Sequence, residues 1–297
     1  MANGIMTGSG TQIDPYLVED VYDFLAIDST YHNPYYKLVN DIDFNNHETY
    51  KYGISSTLFS GETYVDGDGH EVRNMILTGT DSKIIAKEIM NVSFANIILN
   101  GIQGGNAQIK ASTFKNCQFG YFSCNSSLAC IFSLSSTGTF NDCTFNISGS
   151  TYNNTMWCTF NRCHIHFNNF IIKSSSIAAL FMHNESASSA KVIFNNTYMT
   201  GKINALCSNL QAIFYGYGNM TFNNSYFACD LTTDKTTLVT VISTASMTST
   251  CFIDNTLAHN KIKTDNTYGW YVLTTEQCKD NAYLQSIGFQ AFPDESK

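Results

Sequence analysis

The sequence predicts an all-β protein, a single-stranded right-handed parallel β-helix (a solenoid) with a short helical cap at each end. Three observations lead there. A six-residue pattern recurs seven times, its copies stand 20 to 34 residues apart, and the composition supplies a large core with few charges. Apolar residues make up 43% of the chain and aromatic residues 13%. Charged residues are also 13%, about half the ~25% usual for globular proteins. A disordered chain would be poorer in aromatics and richer in charge, so that class is excluded. The 297 residues make one large domain or two small ones at ~100–200 residues each.

The copies begin at Phe94, Phe114, Phe140, Phe160, Phe194, Phe222 and Phe252. Position one is Phe throughout. Position six is large and apolar: Leu99, Phe119, Phe145, Ile165, Met199, Phe227, Leu257. Position three is Asn or Asp in every copy but one, where Arg162 stands. Strand side chains alternate, so positions one and four should face opposite ways, yet both look internal. A bend at position three removes the conflict, because Asn and Asp tolerate the left-handed conformation that a one-residue corner needs. The unit is therefore strand, Asn corner, strand. Stacked at ~4.8 Å, such units place Phe over Phe and Asn over Asn.

Taken in chain order, residues 1–90 form an N-terminal cap and the first coils. Val18 to Ile27 places Val18, Val21, Leu25 and Tyr22 on one side at helical spacing, which suggests a short amphipathic helix across the open end. Tyr36 to Phe44 alternates like a strand. Residues 91–262 are the body, where spacings in the twenties suit one coil each and longer ones imply loops. A solenoid with a helix in each period is disfavoured, because the Ser/Thr/Asn-rich connections are poor helix material. Cys117, Cys143 and Cys163 occupy position four, where later copies carry Thr197, Ser225 and Asn255. They read as small free thiols filling a tight interior slot. Residues 263–297 are a C-terminal cap or anchor, with a helix capped by Thr274 or Thr275, running to Gln285 and stopping near Gly288.

Both ends are familiar. Gly8-Ser-Gly-Thr11, Asp14-Pro-Tyr-Leu-Val18, Tyr36 to Phe44, and Val65-Asp-Gly-Asp-Gly-His-Glu-Val72 followed by Ile76-Leu-Thr-Gly79 resemble the opening of right-handed β-helix surface proteins. Phage tail or fibre proteins and bacterial adhesin-like repeat proteins share it. Leu273 to Asp280 with Gly288-Phe289 resembles their closing segment. The resemblance implies the fold and a surface role. It carries over no catalytic residue, because that group is functionally mixed.

Candidate site residues are few. His164 and His166 project from one strand face while Cys163, Ile165 and Phe167 point inward. Three copies about a threefold axis would offer six imidazoles to a metal, an arrangement similar to that of some phage spike proteins; packed or solvated surface histidines are the simpler reading. Tyr198 and Tyr226 at outward position five, with Tyr215 and Tyr217, are candidates for glycan stacking or for packing against a loop or sister subunit. Asp66-Gly-Asp-Gly-His70 lacks the ligand spacing of a calcium loop and reads as a glycine turn. Glycan cleavage would need paired carboxylates, but between residues 91 and 229 the acids are Asp142 and Glu185 alone. Arg162 stands one coil on from Asp142 and is expected to pair with it.

These residues predict no cofactor and no catalytic set. Net charge is −8, and only Arg73 and Arg162 are arginines. No basic run suits nucleic acid, and no apolar run suits membrane insertion. The sequence expectation is a non-enzymatic virion surface protein, a phage head- or tail-fibre or spike component. It would be made in the host cytoplasm, assemble with other virion proteins, form a homotrimer and display loops for a host-surface glycan. The alternatives are a bacterial cell-surface adhesin or secreted glycan-binding protein, and a polysaccharide lyase or hydrolase on the same fold.

Overall fold

The corner conformation needed at position three is present. Asp142, Arg162, Asn196 and Asn224 have φ of 55, 53, 47 and 48°. In a computed structural model, the described residues are 5–27, 33–48, 54, 57–59, 63–78, 83–84, 87–95, 97–100, 108–109, 113–115, 118–124, 138–142, 144–151, 158–172, 178–183, 191–205, 210–216, 219–233, 240–243, 250–263 and 269–289. Asn96, Asn116, Cys117 and Cys143 lie outside them. Three of these corner N–H groups donate along the stack. Asp142 N bonds Asn161 O at 2.9 Å, Arg162 N bonds Asn195 O at 2.9 Å and Asn196 N bonds Asn223 O at 2.8 Å. The bend therefore leaves these backbone donors satisfied.

The protein is all-β in class, and among the described residues the strand pairs are parallel. Among the described residues the strands form sheets of nine, twelve, three and three strands. The nine-stranded sheet runs in chain order from Tyr16–Val18 to Asn219–Asn223. Position-one residues align through it: Phe114 with Phe140, Phe140 with Phe160, Phe160 with Phe194, and Phe194 with Phe222. The rings of Phe140, Phe160, Phe194 and Phe222 stack at 5.0, 5.1 and 5.0 Å, within 14° of parallel. Trp270 closes the column edge-on against Phe222. Position six forms a second interior column in the twelve-stranded sheet, with Ile165, Met199 and Phe227 fully buried.

Two copies of the motif are out of register. Phe94 pairs with Val72 and Phe119, and Ile89 aligns with Phe114. The corner there is Asn91, at φ 54°, so Phe94 holds position six. Phe252 pairs with Tyr226 and therefore stands at position five. Leu257, expected at an internal position six, is 38% exposed. A six-residue pattern cannot distinguish a Phe entering the corner from a Phe leaving it.

Position four proves more specific than a small apolar slot. Thr197 Oγ1 donates to Phe160 O at 3.2 Å and accepts from Cys163 N at 3.4 Å. Ser225 Oγ donates to Phe194 O at 3.3 Å and accepts from Thr197 N at 3.1 Å. Cys163 Sγ donates to Phe140 O at 3.4 Å. The slot takes Cys, Thr or Ser because each is small and carries a donor. Position two adds an amide ladder that position three alone did not suggest. Asn161 donates to Asn141, Asn195 to Asn161 and Asn223 to Asn195, at 2.8, 2.8 and 2.6 Å.

Helix α1 spans Val21–Ala26, and Asp20 caps it by accepting from Tyr22 N and Asp23 N. It is shorter than the periodicity suggested, because Tyr16–Val18 is already a strand. Its buried face is Val21, Asp23 and Phe24, with Tyr22 exposed. Phe24 meets Phe44 and Phe59 edge-on at 5.8 and 5.5 Å. At the other end, α2 (Thr275–Lys279) and α3 (Asn281–Ser286) replace the single expected helix. Thr274 and Gln277 form a reciprocal capping box for α2, and Asp280 interrupts the run by capping α3. Gly288, at φ 84°, ends it.

Candidate functional site

The outer face of the twelve-stranded sheet carries a row of rings at position five. His164, Tyr198, Tyr226 and Phe252 follow one another in register. Their successive centroid distances are 4.3, 5.5 and 4.9 Å, and the rings lie within 24° of parallel. Alternation places them outward because Cys163, Ile165, Met199 and Phe227 face the core. Phe289 meets Phe252 edge-on at 4.7 Å. Tyr198 and Tyr226 are thus brought together as the sequence suggested. Each shared ring face is occupied by its neighbour, so the row presents ring edges and hydroxyls.

Tyr215 lies in the strand Leu210–Gly216, beside Met182 and Ser243 in another sheet, away from this row. Its side chain and all of Tyr217 fall outside the described residues. His164 and His166 do share a face. Their nearest common partner is a hydroxyl, with Thr200 Oγ1 2.7 Å from His164 Nε2 and 3.0 Å from His166 Nδ1. Among the described residues no group of three or more His, Cys, Asp or Glu side chains is arranged to hold a metal.

The C-terminal helices lean on the far end of the row. Phe252, Leu273, Leu284 and Phe289 form a cluster separate from the main core, with Tyr226 and Cys278 packed against it. A recess of about 400 Å³ remains there, bounded by Thr200, Tyr226, Ala228, Lys279 and Asn281. Burial and the nearby Asp254 carboxylate push the Cys278 thiol up to about 12. Thiolate is the nucleophile, so Cys278 should resist alkylation by iodoacetamide at pH 8 in the folded protein. It should react once the protein is unfolded in urea, and peptide mass mapping reads the difference.

Asp142 and Arg162 pair as expected, with two bonds of 2.6 and 2.7 Å. Glu185 lies outside the described residues. A second charged group surrounds Arg73, which reaches Asp43 at 2.9 Å, Glu71 at 3.2 Å and Asp41 at 3.6 Å. The backbone N–H of Glu71 donates to Asp41, and with His70 and Arg73 it holds that carboxyl below its ordinary range. A depressed folded value stabilises the fold above the ordinary carboxylate pKa, and that contribution is lost as pH falls through the folded value. Asp41→Asn should therefore lower stability chiefly at neutral pH and flatten the acid limb of a stability-against-pH curve, measured by urea unfolding, with the two proteins converging below the folded value.

No family model and no curated protein matches the chain. A solved structure from Bacteroides ovatus, provisionally named an immunoglobulin A1 protease, is similar over 95% of this chain and 91% of its own. It is 13% identical, with a TM-score of 0.43. A likeness at that level says nothing of activity. Sequence reading missed one aromatic pair, Tyr35 and Tyr64, whose rings stack outward at 4.8 Å. The signal was present as a Tyr before each inward residue, Tyr36 and Val65, but these two units lack the Phe that marks the later ones.

Proposed function

We propose that the parallel sheets are wound as one right-handed β-helix, and that the chain is a non-enzymatic structural protein of a virion surface appendage. In this reading it is a phage head- or tail-fibre or spike component that displays attachment surfaces for a host glycan. Strand order that follows the chain, parallel pairing throughout and left-handed corners in vertical register all support the winding. The observation that carries the functional reading is the use made of polar side chains. Through the described body they bond to one another or to backbone along the stack: Asn to Asn, Arg162 to Asp142, Thr197 and Ser225 to carbonyls. Such ladders suit a rigid display rod better than an acid–base site, which needs poised carboxylates. The resemblance of both end segments to phage fibre and adhesin-like proteins supports the location.

The test is immunogold labelling of purified virions together with light scattering of the isolated protein. Label on virions and a threefold mass support the reading. A monomer, with label confined to a bacterial surface, overturns it in favour of an adhesin.

A further inference from the structure

We infer that the cleft beside Tyr35 and Tyr64, on the nine-stranded sheet near the N-terminal end, is a binding site for a neutral oligosaccharide. This deepens the attachment reading and rests on it for the ligand class, but it concerns a surface distinct from the His164–Phe252 row.

The cleft follows from strand register. Tyr16–Val18, Tyr35–Leu38, Tyr64–Asp66 and Glu88–Met90 lie side by side. Their inward residues are Tyr36, Val65 and Ile89, all buried. Outward, one row reads Tyr35, Tyr64, Glu88 and the next reads Lys37, Asp66, Met90. The two rows floor a recess of about 480 Å³, within the ~300–1,000 Å³ range of ligand sites.

One wall is the loop through Gln12 and Ile13, and it is built beforehand. Ser9 N and Thr11 N both donate to Asp14 O at 3.1 Å. Asn33 Nδ2 holds Ser9 O at 2.6 Å, and Tyr35 N holds Gly10 O at 3.3 Å. Ile13 is nonetheless 98% exposed, an apolar side chain held at the mouth of a polar cleft.

The chemistry fits a sugar. Glu88 follows Tyr64 in register one layer on, and both line the recess with Tyr35. A pyranose lodged in the recess would rest its C–H groups against the tyrosine rings where they border it and bring its hydroxyls within reach of the carboxylate. Among the described residues, Glu88 has no hydrogen-bond or ion-pair partner for its carboxylate. Asp66 offers a second acceptor, already fixed by Asn91 Nδ2 at 3.0 Å, and Gln12 an amide. Lys37 is paired with Asp68 at 2.9 Å, so the cleft keeps a negative balance. It should therefore prefer a neutral glycan to a uronate polymer.

The probes are neutral gluco-, galacto- and manno-oligosaccharides, with oligogalacturonate for contrast. Binding to the full chain is read by saturation-transfer NMR and calorimetry. At least one neutral probe should bind, with saturation on Tyr-proximal sugar protons. Tyr64→Ala and Glu88→Gln should each weaken it at least tenfold, and Ile13→Ser severalfold, while Tyr198→Ala leaves it unchanged. Glu88→Gln is a nearly isosteric surface change, so circular dichroism should show it folded. Binding lost in Tyr198→Ala and kept in Tyr64→Ala overturns the site. No neutral probe bound, or oligogalacturonate preferred, also overturns it. In either case virion labelling still decides the appendage reading separately.

Discussion

Phe160→Ala is expected to destabilise the protein by about 3–5 kcal/mol, the usual cost of emptying a well-packed aromatic site. The side chain is fully buried and stacked on both faces, by Phe140 at 5.0 Å and Phe194 at 5.1 Å. Its loss removes two ring contacts and opens a void that the neighbours cannot close, because their own positions are fixed by the backbone ladders on either side. The effect should reach beyond one unit, since in stacked repeats each layer is stabilised chiefly by its neighbours. The readout is the urea midpoint, with Phe160→Leu as a milder comparison. A midpoint near wild type for Phe160→Ala would mean that the ring column contributes little.

Gly201→Ala is expected to cost at least about 2–3 kcal/mol, combining a strained backbone with a collision. Gly201 has φ +101°, and a Cβ there would lie 2.2 Å from Phe167 O and 2.7 Å from Phe167 N. These are backbone atoms of the adjacent strand, which cannot swing aside as a side chain would. The register slips at this point, between Phe167 and Phe170 on that strand. Gly201 thus accommodates a bulge that keeps both Phe167 and Phe170 buried. Gly269→Ala is the control: φ is +89°, but nothing lies within 4 Å of the added methyl. It carries only the conformational part, about 1–2 kcal/mol. Equal midpoints for the two variants would remove the close-approach explanation.

The later repeats were legible because four chemical requirements coincide within six residues. A ring fills the core at position one, a left-handed corner follows at three, a small donor at four and an apolar side chain at six. Where those coincide, at Phe140, Phe160, Phe194 and Phe222, register could be read from the string alone. It failed at Phe94 and Phe252, where Phe serves another position and the corner is marked by Asn91 or missing from that place. The Asn141–Asn223 amide ladder was hidden for a different reason. Position two is outward, and nothing in a single copy says that its amide is aligned with the next. Likewise Asp280 breaks the C-terminal helix through local capping, which periodicity does not register.

The outer surface was half legible. Alternation placed Tyr198, Tyr226, His164 and His166 outward, and the structure sets them in neighbouring layers. Which faces of those rings are open depends on stacking between layers and on the fold of residues 270–289 over Tyr226 and Phe252, both non-local. The Tyr35–Tyr64 cleft depends on a loop twenty residues earlier in the chain, held by Asn33 and Tyr35, so no local motif announces it.

The central claim is that residues separated by one repeat in sequence are direct neighbours across the stack. Nitroxide labels at Arg162→Cys and Asn224→Cys, in a background whose native cysteines are replaced by serine or alanine, test it most directly. Those corners are two layers apart through Asn196, so their backbones should be about 10 Å apart at ~4.8 Å per layer. Strong dipolar broadening in frozen solution is the predicted result. Spectra identical to the sum of the singly labelled proteins would contradict it.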